Sequence, residues 1–213
     1  MLINLNKLLL IIFPKKCVGC RAPDFWICES CLNKIPKSKE AVFPWATSVF
    51  KYQNPLVRKI VWLIKFNRKH SVLRDIEKTM KESFENFLKN NSLEDKKIIL
   101  VPIPITKQSK TKRGYNQSTL ICRVLAKENK NIEINESILA KSFNHAPQNK
   151  IKDRNKRMKN IKNSFKVVSG NYLRDEIIVL IDDVVTTGAT IQEAKKTLKN
   201  SGFKKIYGFS LAH

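Results

Sequence analysis

Ile177-Ile-Val-Leu-Ile-Asp-Asp-Val-Val-Thr-Thr-Gly-Ala-Thr190 is the stretch that decides the fold. Five consecutive apolar residues predict a strand buried on both faces, as in a parallel sheet. Asp182 and Asp183 follow at its carboxyl end, and a turn of small and hydroxyl residues enters a helix predicted from Thr187 to Asn200. Ligands of open α/β sheets bind at that end of the strands. Thr186 to Thr190 can aim backbone N–H groups and hydroxyls at one phosphate, with the positive end of the helix behind them. Gly188 lets the backbone approach the phosphate closely.

The carboxylates refine that reading, because an acidic pair repels a bare phosphate. A ribose above the phosphate resolves the conflict, since its 2′ and 3′ hydroxyls donate to carboxylates. A Mg²⁺ on ribose and diphosphate oxygens relieves the remaining repulsion. The plainer alternatives are an acidic strand-end turn and simple helix capping by the threonines.

Working outward, Lys97 to Pro102 reads as a second buried strand and Lys205 to Leu211 as the last one. Pro55 opens a helix that carries Leu56, Ile60, Val61, Leu63 and Ile64 at helical spacing. A further helix is expected from about Val72 to Leu88, and another from Tyr115 to Lys127. Ser48 to Tyr52 reads as a strand or hairpin, and Phe165 to Val168 as a short strand. Thr106 to Arg113 reads as a basic loop, and Ile138 to Asn163 as a very basic, weakly periodic stretch. Strands alternating with helices predict an α/β fold with a mainly parallel open sheet.

Four of the five cysteines form Cys17-x2-Cys20-x7-Cys28-x2-Cys31. Two such pairs supply a tetrahedral sulfur shell for a structural Zn²⁺, with no open position for catalysis. Gly19 suits a positive-φ knuckle turn. Two disulfides or four unrelated thiols are the alternatives, and disulfides are disfavoured without a secretory signal. Cys122 reads as a core residue. The expected division is residues 1–38, an N-terminal helix and the cysteine module, and residues 39–213, the α/β domain.

The net charge is +23, from 41 Lys and Arg against 18 Asp and Glu. It favours anionic partners, including single-stranded DNA. A lysine- and asparagine-rich codon bias explains the same excess without any such contact. Along the chain, aromatics do not interleave with cations as a stacking platform would. The apolar run Leu8 to Phe13 is too short to span a bilayer, so no transmembrane segment is expected and the cytoplasm is the default location.

The decisive segment resembles the phosphoribosyl diphosphate (PRPP) signature of type I phosphoribosyltransferases. The cysteine pairs, Tyr52-x2-Pro55-Leu56-x-Arg58-x-Ile60-x4-Lys65-Phe66, Val101-Pro-Ile-Pro104, Lys112-Arg-Gly-Tyr-Asn-Gln117, Gln148 and Arg157-x2-Asn160 stand in the order seen in the ComF family. That resemblance implies a small four-cysteine zinc ribbon ahead of a type I phosphoribosyltransferase fold with a small hood. It also implies service to natural competence, with competence machinery at the inner membrane as a partner and a peripheral location there.

By the same resemblance Asp182 and Asp183 hold the ribose hydroxyls. Val184, Thr186, Thr187, Gly188, Ala189 and Thr190 form the PRPP loop, and Pro104 to Thr106 line the diphosphate. Arg113 and Arg157 stabilise the leaving diphosphate, as fixed guanidinium groups can. Lys152 and Arg154 compete with Arg157 for that role, because the interval after Gln148 is about one residue longer than the family pattern. Three functions stay open: a Mg²⁺-dependent phosphoribosyltransferase, a PRPP-binding competence protein, and a single-stranded DNA-binding module with a vestigial pocket. The second ranks first, because nothing near the expected hood reads as a specific base pocket.

Overall fold

The computed structural model describes residues 15–38, 41–66, 70–142, 162–168 and 175–213. Its centre is a five-stranded, all-parallel sheet in the order β1-β7-β6-β2-β3. The strands are β1 (Ala46–Phe50), β2 (Ile98–Pro102), β3 (Ile132–Ile134), β6 (Ile177–Val184) and β7 (Lys205–Ala212). A separate antiparallel pair joins β4 (Leu139–Lys141) to β5 (Phe165–Val167). The helices are α1 (Glu29–Asn33), α2 (Pro55–Phe66), α3 (Val72–Asp75), α4 (Glu77–Asn90), α5 (Lys107–Arg113), α6 (Gln117–Ala126) and α7 (Ala189–Asn200).

The two faces of the sheet bury different helices. One core unites the apolar stripes of α2, α3, α4 and α6 with Cys17, Ile27, Cys31, Leu32 and Ile35 of the cysteine module. The other packs Ile191, Ala194 and Leu198 of α7, with Leu139 and Phe165 of the β4–β5 pair, against Ile178 and Leu180. Central strands covered on both faces must be apolar throughout, which explains why Ile98–Pro102 is buried at every position.

The α/β reading with a parallel sheet therefore holds, and several local readings change. The segment after Thr106 is a helix, α5. The Thr106 hydroxyl caps it by accepting from Ser109 N at 3.1 Å, and Gly114, at φ 84°, ends it. The helix expected from Val72 to Leu88 is two helices, broken at Ile76. The break leaves the Asp75 carboxylate to accept from Trp26 N at 2.7 Å and Ile27 N at 3.3 Å, fastening the cysteine module. β3 and β4 were not foreseen. Each has three residues, too few to show a period. The strand through Ile181 runs on to Val184, so both aspartates lie within it, and its helix starts at Ala189.

Among the described residues no helix is long and apolar enough to cross a membrane. The Leu8 to Phe13 run lies outside them.

Candidate functional site

The chain runs from β2 outward to β3, then returns to the other side of β2 for β6 and β7. The carboxyl ends of β2 and β6 therefore flank the point where the winding reverses, which is where such sheets open a crevice. Ile103 N donates to Ile181 O at 2.9 Å, holding the segment after β2 against the end of β6. Asp182, Asp183, Pro104 and Thr106 are thereby brought to one edge of the sheet.

The aspartates face different neighbours, as successive residues of a strand must. Asp183 is buried and its Oδ2 lies 3.1 Å from Lys65 Nζ on α2. Asp182 Oδ1 accepts from Asp183 N at 2.9 Å and from Ser118 Oγ at 3.4 Å. Burial pushes the Asp182 carboxyl from 3.8 up to about 7, and the Asp183 charge adds to the rise; Lys65, Asp183 N–H and Ser118 oppose it. Near neutral pH the Asp182 carboxyl is therefore close to half protonated, and any ligand bringing positive charge or hydroxyl donors to it favours its ionised form.

Beyond Val184 the loop is pinned by Val185 N donating to Ala212 O at 2.9 Å. Thr186 and Thr187 are exposed, Gly188 is buried, and Ala189 and Thr190 are half-buried at the first turn of α7. Gly188 has φ 75°, a conformation that disfavours any side chain, and a Cβ there would come within 2.2 Å of Phe43 Cζ. Phe43 thus backs the loop, stacked in turn on Trp45 at 5.2 Å.

Arg113 stands at the end of α5. Its Nη1 donates to Gln117 Oε1 at 3.1 Å, and its guanidinium lies 5.6 Å from the centre of the Phe66 ring. Asn116 caps α6 by accepting from Ser118 N, and its Nδ2 donates to Ile103 O at 3.0 Å. The Tyr115 hydroxyl donates to Ile64 O. These contacts tie the Lys112–Gln117 segment to both α2 and the end of β2. Arg157, Lys152, Arg154, Gln148 and Asn160 lie outside the described residues.

Lys65 stands in the family pattern but received no site role from the sequence, and residue patterns missed Ser118 and Lys141. Lys65 follows buried Val61 by four residues, so a cation on the edge of an otherwise apolar helix stripe was its available signal. Lys141 on β4 lies over the Phe165 ring at 4.4 Å; burial lowers its pKa, while the Asp182 charge acts the other way. Replacing Lys65 by Ala strips a largely buried carboxylate of its counter-charge. The expected cost at neutral pH is about 1–3 kcal/mol, seen as a drop in Tm, with Lys65→Arg retaining part of it. An unchanged Tm in Lys65→Ala contradicts the pairing.

The cysteine cluster passes a geometric test for metal. The four Sγ atoms lie within 4.8 Å of one another, and Cys28 Sγ is 3.6 Å from both Cys17 Sγ and Cys20 Sγ. A tetrahedron with Zn–S bonds of about 2.3 Å has sulfur–sulfur edges of about 3.8 Å. Gly19 N and Cys28 N each donate to Cys17 Sγ at 3.4 Å. Burial acts to raise the Cys17 thiol, but the N–H groups of Cys20, Cys28 and Gly19 outweigh it and bring it down to about 6. Gly19 is not in the left-handed region; the positive-φ knuckle positions are Arg21 and Asp24. Glycine is needed at position 19 because a Cβ on it would meet Cys31 Sγ at 2.6 Å.

Comparison with known proteins agrees with this arrangement. The family model described as the phosphoribosyl transferase domain matches residues 124–209. Competence protein F of Haemophilus influenzae is 26% identical over 187 residues, covering 87% of this chain and 77% of that protein. DNA utilization protein YhgH of Escherichia coli K12 is 27% identical over 182 residues, covering 82% of this chain and 72% of that protein. Competence protein ComFC of Bacillus subtilis is 24% identical over 209 residues, covering 84% and 80%. A hypoxanthine phosphoribosyltransferase from Staphylococcus aureus aligns with a TM-score of 0.41 and 14% identity over 65% of this chain and 62% of that chain, too loosely to add to the fold. The chain is thus similar over most of its length to competence protein F, YhgH and ComFC, and it carries a phosphoribosyltransferase-type domain on a parallel sheet behind a four-cysteine cluster.

Proposed function

From that similarity we propose that the protein binds PRPP with Mg²⁺ at the carboxyl end of β6 and serves DNA uptake in natural competence. The observation that carries the ligand assignment is the pairing of two carboxylates with a glycine-bearing turn at the start of a 12-residue helix. The turn Thr186 to Thr190 would take the 5′-phosphate on its N–H groups and hydroxyls. Asp182 and Asp183 would accept from the ribose hydroxyls, with Ser118 holding Asp182 and Lys65 holding Asp183. Mg²⁺, when bound, supplies positive charge to the diphosphate and its neighbouring hydroxyls. Arg113, and Arg157 beyond the described residues, would face the diphosphate. The four cysteines would hold one structural Zn²⁺.

Phosphoribosyl transfer is the second reading, favoured by Lys141. It places an ammonium on the β4–β5 pair within the electrostatic reach of Asp182, where an acceptor would approach. A screen for diphosphate release from PRPP in Mg²⁺, across purines, pyrimidines and simple amines, decides between the two. The expected result is PRPP binding with no release above the rate without protein; turnover with any acceptor makes the protein an enzyme. We also propose single-stranded DNA as its polymeric partner, from the net charge of +23 and relatives named for competence and DNA utilization. Such a partner would place the protein in the cytoplasm, at the inner face of the membrane the DNA crosses.

A further inference from the structure

Helix α2 spends its apolar stripe on the core, burying Val57, Ile60, Val61, Leu63 and Ile64. Yet two large aromatic residues remain on its outer side. Trp62 is 52% exposed and Phe66 56% exposed, among the few large hydrophobic side chains left in solvent in the described residues. Spaced four apart, they lie on one face about 6 Å along the axis from each other. Arg58 stands four residues before Trp62, also exposed, with exposed Lys59 beside it. The sequence Pro55–Phe66 contains no acidic residue. The face therefore reads cation, aromatic, aromatic.

The fold lengthens this stripe. The guanidinium of Arg113 lies over Phe66, continuing the row from α2 onto α5. α5 buries none of its residues, contains no acidic residue, and exposes Lys107, Lys110 and Lys112. Two helices and a strand separate α2 from α5 in the chain, which is why cations and aromatics do not interleave in the sequence. They interleave in space.

We propose that the Arg58–Trp62–Phe66–Arg113 face is a stacking platform for the bases of single-stranded DNA, with the lysines of α5 pairing with its phosphates. This rests on the reading that the protein meets single-stranded DNA, and names the surface. Aromatic faces stack any base but need it unpaired, so single strands are favoured over duplex. The row ends beside Lys65, which contacts Asp183, so the strand runs past the mouth of the ribose-phosphate crevice. A membrane surface fits less well, because an interfacial helix needs a broad apolar face outward and this one is turned inward. A second copy fits less well again: a two-fold contact sets the same cations against themselves.

The test is fluorescence anisotropy of a labelled oligothymidylate at fixed salt, with a salt titration for each variant. Wild type is expected to bind, with affinity falling steeply as salt rises. Trp62→Ala and Phe66→Ala are each expected to weaken binding about tenfold without changing the salt slope, and Trp62→Phe to keep most of it. Trp62→Ala should keep the wild-type Tm. Arg58→Gln probes the same face without touching an aromatic; it should weaken binding and flatten the slope. If wild type does not bind the oligonucleotide, the DNA reading and the platform fall together. If wild type binds and the Trp62→Ala/Phe66→Ala protein binds equally well, the platform alone is wrong. Loss of binding to phosphatidylserine vesicles, or of self-association, with oligonucleotide affinity unchanged also overturns it.

Discussion

Replacing Asp182 and Asp183 by Asn is expected to abolish the thermal stabilisation that PRPP gives wild type in Mg²⁺. A ligand at about a hundred times its Kd stabilises the folded state by about 2.7 kcal/mol, so the wild-type shift in Tm is readily measured. The double variant removes both acceptors for the ribose hydroxyls and the charge that attracts the metal. At position 182 an Asn Oδ1 can still accept from Ser118 Oγ and from the backbone N–H of residue 183, whereas Asp183→Asn takes the counter-charge from Lys65, so each protein is compared with and without PRPP rather than by its absolute Tm.

The ligand-free protein should behave in the opposite sense. Burial raises Asp182 to about 7 in the folded state from 3.8. A group raised on folding contributes stability that is complete below its unfolded value and lost as pH climbs through its folded value. Wild type without ligand should therefore lose stability between about pH 4 and pH 7, and Asp182→Asn should flatten that loss. Above pH 7 the variant should be the more stable protein by about 1–3 kcal/mol. PRPP with Mg²⁺ favours the ionised pair, so its affinity should rise with pH over the same window.

Removing the metal from the cysteine module is expected to have the second large effect. Structural zinc contributes about 10–16 kcal/mol of apparent binding energy to small zinc modules at neutral pH. Here Cys17, Ile27, Cys31, Leu32 and Ile35 share one core with α2 and α4, so loss of the module opens that core. It also releases Trp26, whose Nε1 donates to Ser71 Oγ at 2.8 Å, and Lys59, whose Nζ donates to Val18 O at 3.1 Å. Wild type should carry about one zinc per chain. Cys17→Ser should carry less and melt at a lower temperature, and a chelator should reproduce this. Zinc-free protein with an unchanged melting temperature contradicts the assignment.

The strand Ile177–Val184 and the four cysteines were legible because their signals are local. An apolar run followed by two acids and small residues, or two Cys-x2-Cys pairs, needs no knowledge of the rest of the chain. The partners of those residues were not local. Lys65 on α2 and Ser118 on α6 reach Asp183 and Asp182 from helices that precede β6 by long stretches of chain. α5 was hidden because a helix that buries none of its residues carries no apolar period; only Thr106 and Gly114 marked its ends. The platform on α2 was invisible for the same reason as Lys65: its last member, Arg113, arrives from another helix. Arg157, with Gln148 and Asn160 of the family pattern, lies outside the described residues.

Calorimetric titration of PRPP into the wild-type protein tests the central claim most directly. In Mg²⁺ the account predicts saturable binding at one site per chain, weakened when Mg²⁺ is replaced by EDTA and absent from the Asp182→Asn/Asp183→Asn protein. Heat that does not saturate in wild type, or equal binding by wild type and the double variant, contradicts it.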